Sequence, residues 1–385
     1  MNSVLSTVGL SEYHGPIVAA VIGLLMLVFF IRNQKGNGPP NILLTHKQRV
    51  SVGVLALLVI IGAITVRVRA LEVMPVDVKR ADMIPTVQSQ IVDFLEGNNP
   101  YSPRTLQEGH TVPRYYLPII WLTYTPLYVL GIDIRYLNIA AQVILYLLLL
   151  DCFLRKGQFA RFGFRVSVIV FIALLAMHAF SKQAIREVTD TQTGPFWLFY
   201  CLFLWAMSRQ SNQLSFIFLS LVVLCRHAAC LLFLPLALYF AKSDRKKLAS
   251  MSFHFILIAC VVLLPFFQYW RNLWEGIAFY SSTTNQTSVE QMMGLFGLAG
   301  PLKKLGLLFL QKPLQLSGTL YALWAVLFSM TDPLGTVALG GVAYLTVILF
   351  VGTPFHYLYA EPLILSVFLL VRPSLRRDPS AGASG

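Results

Sequence analysis

Two kinds of chemistry-bearing residue stand out in a chain otherwise poor in charge. Carboxylates gather in one polar segment at Asp77, Asp82, Asp93 and Glu96, while basic groups are set beside apolar runs at Lys79, Arg80, Arg114, Lys182, Arg186, Arg226, His227 and His356. A carboxylate within about 2.6–3.2 Å of a hydroxyl can take its proton. Cations and N–H donors can hold an oxyanion as its charge grows. Together these groups suit a displacement in which a hydroxyl attacks and an anion leaves. Each also has a plainer account. Lys and Arg at an apolar boundary usually snorkel, and an Asp ahead of a helical pattern is a preferred N-cap. Glu187 beside Arg186 reads equally as a surface pair, and His356 between tyrosines as an interfacial anchor. Arg226 and His227 differ, because apolar runs flank them on both sides and ionisable groups that deep in apolar surroundings are costly and usually functional.

The elements that position these groups follow from composition. Of 385 residues, 56% are hydrophobic and 12% charged, with a mean hydropathy of +0.67. A soluble domain carries about 25% charged residues, so this chain cannot cover a water-facing surface of its own size. That excludes a soluble enzyme, a disordered chain and a nucleic-acid-binding module, despite the net charge of +13. The five cysteines lie in or beside apolar runs without metal-ligand spacing, and they read as small buried apolar residues. Apolar runs long enough to cross a bilayer, which takes about 20 residues, are predicted at Pro16–Ile31, Val50–Val66, Tyr136–Leu154, Val166–Phe180, Phe253–Trp270, Leu316–Met330 and Leu334–Val351. Shorter ones lie at Pro195–Met207, Leu214–Cys225, Ala228–Phe240 and Ala360–Val371. Pro118 and Pro126 interrupt Leu117–Gly131, which is expected to enter the membrane only partly. The first run lacks the basic flank and cleavage site of a signal peptide.

Lys and Arg set the direction. Clusters at Arg32/Lys35/Lys47/Arg49, Arg155/Lys156/Arg161/Arg165, Arg209, Lys242/Arg245/Lys246/Lys247 and Arg372/Arg376/Arg377 reach one side, the cytoplasm, only if Leu117–Gly131 does not cross and Leu214–Phe240 crosses twice. The expected fold is therefore all-α: a polytopic transmembrane helical protein of about eleven spans, N-terminus outside and C-terminus inside. Most acidic residues and the two longest polar segments, Arg67–Tyr116 and Arg271–Lys312, then lie outside. The chain divides into an N-terminal two-helix segment (1–66), an outer loop (67–135), a central bundle (136–270), a second outer loop (271–313) and a C-terminal bundle with its tail (314–385). In the first loop, Ile84, Val87, Ile91, Phe94 and Leu95 recur at helical spacing. They predict a short amphipathic helix lying on the membrane surface by one apolar stripe, with Asp82 at its start, Gly97 at its end and Asn99-Pro100-Tyr101 turning the chain. Asp93 and Glu96 fall at helix positions facing water. The second loop, with Trp274, Phe279 and Tyr280, is expected to form a second interfacial lid.

An Asp after a transmembrane helix, an amphipathic helix, Gly-x-Asn-Pro-Tyr (Asp82, Gly97, Asn99, Pro100, Tyr101) and then Tyr116 with Pro118 opening a partly inserted helix resembles the GT-C glycosyltransferases. Within them it is most similar to the bacterial polyprenyl-phosphate-mannose-dependent mannosyltransferases. The resemblance is clearest from Val76 to Gly131. Two positions depart from the pattern: Thr191-Gln192-Thr193-Gly194 stands where relatives tend to show Gly-Gln, and Arg226-His227 where they often carry Lys. The resemblance implies a GT-C-type fold and an inverting transfer of a sugar, mannose foremost, from a polyprenyl-phosphate donor to a lipid or glycan acceptor on the outer face of the plasma membrane. It implies Asp82 as the base, with Asp77 the alternative. Arg226, His227, His356, Lys182, Arg186 and Arg80 are candidates for holding the donor phosphate. Tyr101, Tyr116, Tyr357 and Glu187 are candidates for lining donor or acceptor. A phosphate leaving group needs no second carboxylic acid of the kind used in glycoside hydrolysis. No cofactor is expected; no cluster suggests a metal, although a divalent cation is known in some relatives. The expected partners are the donor lipid, the acceptor and the bilayer, not nucleic acid. The alternatives are a polytopic lipid or glycan transporter or flippase, and a non-enzymatic envelope scaffold.

Overall fold

The computed structural model describes residues 45–78, 81–105, 111–112, 114–155, 164–226, 229–286, 298–328 and 333–350. The apolar runs Pro16–Ile31 and Ala360–Val371 lie outside these residues, as do Lys79, Arg80, His227, His356 and Tyr357. In chain order the helices are α1 (His46–Val73), α2 (Met83–Leu95), α3 (Pro118–Val129), α4 (Tyr136–Arg155), α5 (Phe164–Ala179), α6 (Lys182–Asp190), α7 (Gly194–Ser208), α8 (Asn212–Cys225), α9 (Cys230–Ser243), α10 (Arg245–Leu263), α11 (Trp270–Gln286), α12 (Ala299–Lys304), α13 (Gln311–Phe328) and α14 (Pro333–Leu349). The fold is all-α. Extended pairing among the described residues is confined to a two-residue antiparallel ladder, Arg104–Thr105 against Thr111–Val112.

Helix α1 shows how the apolar runs become a bundle. Thr45 opens it with a capping box: Thr45 Oγ1 accepts from Gln48 N at 3.3 Å, and Gln48 Oε1 accepts from Thr45 N at 2.9 Å. The pair satisfies two of the orphan donors at a helix start. Val52, Ala56, Ile60, Ala63 and Ala70 turn inward, against α4, α5 and α6. Ala56, Ala63 and Ala70 recur every two turns, and small residues in such a row let helix backbones approach closely. The outward face carries exposed Val54, Leu55, Leu58 and Ile61. The same pattern recurs on α10 and the 3₁₀ turn that follows it (Phe253, Ile256, Val261, Phe267) and on α13 (Leu316, Leu320, Trp324, Phe328). Large contiguous apolar surface of this kind marks a membrane or partner contact.

Two helical runs, His46–Val73 of 28 residues and Arg245–Ala278 of 34, are long and apolar enough to cross a membrane. The second joins α10 to α11 through the 3₁₀ turn Leu264–Tyr269, so the predicted second outer loop opens as a helix continuous with the span before it. Helices α8 and α9 have 14 residues each, α7 has 15 and α14 has 17. At about 1.5 Å per residue these are shorter than a hydrocarbon core of about 30 Å. Helix α3 has 12 residues, with Pro118 at its first position and Pro126 inside it. Gly131 ends it at φ +69°, a conformation that favours glycine.

One core runs from α2 through α3, α4, α7, α8 and α9 to α14. A smaller cluster of Ala322, Ala325, Val326, Leu339 and Ala343 joins α13 to α14. These two helices touch at Gly318, where a Cβ would stand 2.4 Å from Thr346 Oγ1.

Candidate functional site

Helix α2 carries the first group of candidates. Its end is a Schellman turn: Gly97 N donates to Phe94 O at 3.1 Å and Asn98 N to Asp93 O at 2.7 Å, with Gly97 at φ +75°. Asn99 Oδ1 then accepts from Tyr101 N at 2.9 Å, an Asx turn that sends the chain back. Ile84, Val87 and Ile91 are buried in the main core. The apolar stripe thus divides between the protein core and an exposed end of the helix. Phe94 and Leu95 are exposed, and the polar side is covered: Thr86 is 2% exposed, Ser89 8% and Gln90 0%.

That covered polar side is unusual in its hydrogen bonding. Thr86 Oγ1 and both amide atoms of Gln90 are buried without a hydrogen-bond partner among the described residues, and such groups cost about 1–3 kcal/mol each when left unpaired. Asp82 sits one turn before Thr86. It occupies the N-cap position at φ −84°, ψ −10°, and its side chain makes no capping bond. Only its backbone carbonyl serves the helix, accepting from Thr86 N at 2.9 Å. Asp77 is exposed; its carbonyl accepts from Ala81 N at 3.1 Å. Asp93 does not face open water, as its helix position suggests, but pairs with Arg114. Arg114 is buried and also donates to Pro100 O at 3.3 Å.

The chain between α2 and α3 is anchored at several points. Tyr101 is buried; its hydroxyl accepts from Trp121 Nε1 at 3.4 Å, and its ring meets Phe266 edge-on. Burial drives its phenol pKa upward, against the weaker pull of the Trp121 bond. Tyr116 is buried beside Tyr115, the two hydroxyls 3.2 Å apart. Helix α11 packs along this stretch. Asn99 Nδ2 donates to Asn272 Oδ1 at 3.1 Å, and a Cβ on Gly276 would stand 2.7 Å from Arg114 O.

Arg226 caps the end of α8, between the two short helices α8 and α9. Its guanidinium lies over the Phe196 ring, 4.6 Å from the centroid, and donates to the Tyr344 hydroxyl at 3.1 Å. Phe196 follows the tight segment Thr191–Gly194, which Asn138 organises. Asn138 Nδ2 donates to Val188 O and Thr191 O at 2.9 and 2.8 Å. Its Oδ1 accepts from the Tyr124 hydroxyl at 2.6 Å and from Gly194 N at 2.9 Å. Gln192 Oε1 within this segment and Trp197 Nε1 just after it are buried without a hydrogen-bond partner among the described residues. Helix α3 packs against both α2 and α8, so it lies between the elements that carry Asp82 and Arg226.

The third polar group follows no predicted motif. Arg67, six residues before the end of α1, is buried. It donates to Gln142 Oε1 at 2.5 Å, Ala179 O at 2.7 Å and the Tyr146 hydroxyl at 2.9 Å; that hydroxyl meets His178 Nδ1 at 3.0 Å. Glu187 is 3% exposed, within Coulombic reach of Arg67 and Tyr146, and its Oε1 accepts from Gln183 Nε2 at 3.2 Å. Glu187 therefore faces inward rather than forming a surface pair with Arg186. Arg186 and Lys182 are themselves exposed on α6. Among the described residues, no three His, Cys, Asp or Glu side chains come together as a metal site would require. No family model, curated protein or solved structure matches the chain.

Proposed function

We propose that this chain is an integral membrane glycosyltransferase of GT-C type, transferring a sugar, mannose foremost, from a polyprenyl-phosphate donor to a lipid or glycan acceptor. The observation that carries the reading is Asp82: a carboxylate at the head of α2, without a capping bond, fifteen residues before the Gly97 turn. In the proposed reaction the acceptor hydroxyl attacks C1 of the sugar. The new C1–O bond forms as the bond to the phosphate oxygen breaks, and the configuration at C1 inverts. Asp82 takes the hydroxyl proton and the electron pair leaves on the polyprenyl phosphate. Arg226 and His227 are proposed to hold that phosphate, with His356, Lys182, Arg186 and Arg80 around it. No cofactor enters, since phosphate is already a good leaving group. Eleven spans, with the N-terminus and Asp82 on the outer face of the plasma membrane, complete the proposal.

A transporter or flippase is the second reading, and the buried Arg67–Glu187 group favours it, since ionisable residues inside helix bundles often mark ion or proton pathways. Purified protein incubated with radiolabelled polyprenyl-phosphate mannose separates the two. Label passing to a lipid or glycan acceptor supports the transferase. Donor that stays intact but changes leaflet in proteoliposomes supports the transporter.

A further inference from the structure

We propose that the covered polar side of α2 is a binding strip for a neutral, polyhydroxyl ligand, the glycan part of the acceptor, held by Thr86 and Gln90 beside Asp82. The location of transfer next to this strip rests on Asp82 being the base; the binding itself does not.

Asp82, Thr86 and Gln90 are spaced i, i+4, i+8, which sets them on one side of the helix over about 12 Å. This is long enough to lie beside one sugar ring and reach the next. Thr86 Oγ1, Gln90 Nε2 and Gln90 Oε1 are buried and unpartnered. Together they offer donors and acceptors that no partner among the described residues occupies.

The chemistry of the strip selects among ligands. A lipid tail would leave every one of these groups unpaired. A phosphate would meet the Asp82 carboxylate, and Arg114, on the same side of the helix toward its end, is set against Asp93. A sugar hydroxyl is both donor and acceptor. Adjacent hydroxyls can therefore pair with an amide N–H, an amide oxygen, a threonine hydroxyl and a carboxylate in turn. Because Thr86 and Gln90 are covered, the side chains over them part when the ligand enters. Trapped water is the competing explanation, since a water also satisfies such groups when it finds two to four partners.

The test uses the full chain in lipid nanodiscs free of sugar detergents. Binding of α-linked mannobiose and of maltose is read by saturation-transfer NMR, and thermal unfolding is read in parallel. Gln90→Leu keeps the side-chain size and removes the amide. If the amide waits for ligand, the variant unfolds at the same temperature or higher, while disaccharide binding weakens about tenfold, the upper range for one neutral hydrogen bond. Thr86→Val should behave alike. Three results overturn the proposal: wild-type protein that binds neither disaccharide, Gln90→Leu that binds as wild type, or Gln90→Leu that unfolds earlier, which shows an amide already satisfied inside the protein. A parallel transfer assay separates this proposal from the enzymatic reading. Sugar binding lost in Gln90→Leu, with no transfer even by wild type, leaves the strip and removes the transferase. Transfer with an acceptor KM indifferent to Gln90→Leu does the reverse.

Discussion

Asn138 and Gly194 fit together with no room for a methyl group. Asn138 Oδ1 accepts the Gly194 N–H at 2.9 Å, and a Cβ on residue 194 would stand 2.2 Å from that same oxygen and 3.1 Å from the Asn138 backbone. This contact locks the start of α7 to the start of α4 and sets the direction of the chain entering Phe196, the ring beneath Arg226.

Gly194→Ala should therefore be strongly destabilising. The methyl group must push Asn138 off two hydrogen bonds, and overpacking of this kind costs about 1–3 kcal/mol before the lost bonds are counted. Thermal unfolding in detergent should fall by several degrees. Truncating Asn138 to Ala in the same chain should recover little, because Val188 O and Thr191 O then lose their donor.

Arg67→Met and Glu187→Gln should be non-additive. Removing one partner of a buried charged pair is costly, about 3–5 kcal/mol, because the other charge stays buried and uncompensated. Arg67→Met alone should lower the unfolding temperature more than the double variant does. A double-mutant cycle on unfolding free energy reads the coupling, and additive effects would show that Glu187 and Arg67 do not act on each other.

Arg226 is held over Phe196 and by the Tyr344 hydroxyl, which aims a planar guanidinium rather than leaving it to snorkel. If it grips the leaving phosphate, Arg226→Ala should lower transfer by about 10²–10³. Arg226→Lys should recover only part, since an ammonium lacks the flat fork. Arg209, exposed and 3.7 Å from Asp151, is the control; Arg209→Ala should leave transfer unchanged. Equal small losses at both positions would remove Arg226 from the site.

Topology gives a fourth expectation. A reporter active only outside the cytoplasm should be active when fused after Gln107 and silent after Ser243, at the end of α9. Activity at both would mean that α3 crosses, or that α8 and α9 do not form two separate crossings.

The parts of this fold that were legible in the sequence are those governed by local rules. The Gly97 stop, the Asn99 turn and the Pro118 start of α3 follow from backbone chemistry within a few residues, and the division of 214–240 into two helices from the charged break between two apolar runs. Burial of polar groups does not. Arg67 was legible only as the first charge of an outer segment, because nothing nearby marks the Gln142, Ala179 and Tyr146 groups that receive it. Asp93 sits at a water-facing helix position, and its partner Arg114 comes from beyond the next turn. Thr86 and Gln90 lie off the apolar stripe of α2 (Ile84, Val87, Ile91), and nothing in the spacing marks them as covered. Periodicity separates the apolar face from the polar one, and is silent on whether the polar face is covered.

Asp82 is the position at which the functional and structural accounts diverge most sharply. As a cap it would hold an N–H of the first turn through its side chain, and it does not. Asp82→Asn keeps the side-chain volume and caps about as well as Asp, so unfolding temperature and insertion should not change. The amide cannot take a proton near neutral pH. If Asp82 is the base, transfer should fall by about 10²–10⁴, the range for losing a general base. Donor binding should survive, because a carboxylate repels the donor phosphate rather than holding it, and its removal leaves Arg226 in place. Asp77→Asn, in the same segment and of the same charge change, should turn over almost normally. Full activity in Asp82→Asn, with Asp77→Asn inactive, would transfer the role to Asp77. It would also separate the catalytic carboxylate from the α2 strip, since Thr86 and Gln90 lie in register with Asp82 at one and two turns and not with Asp77.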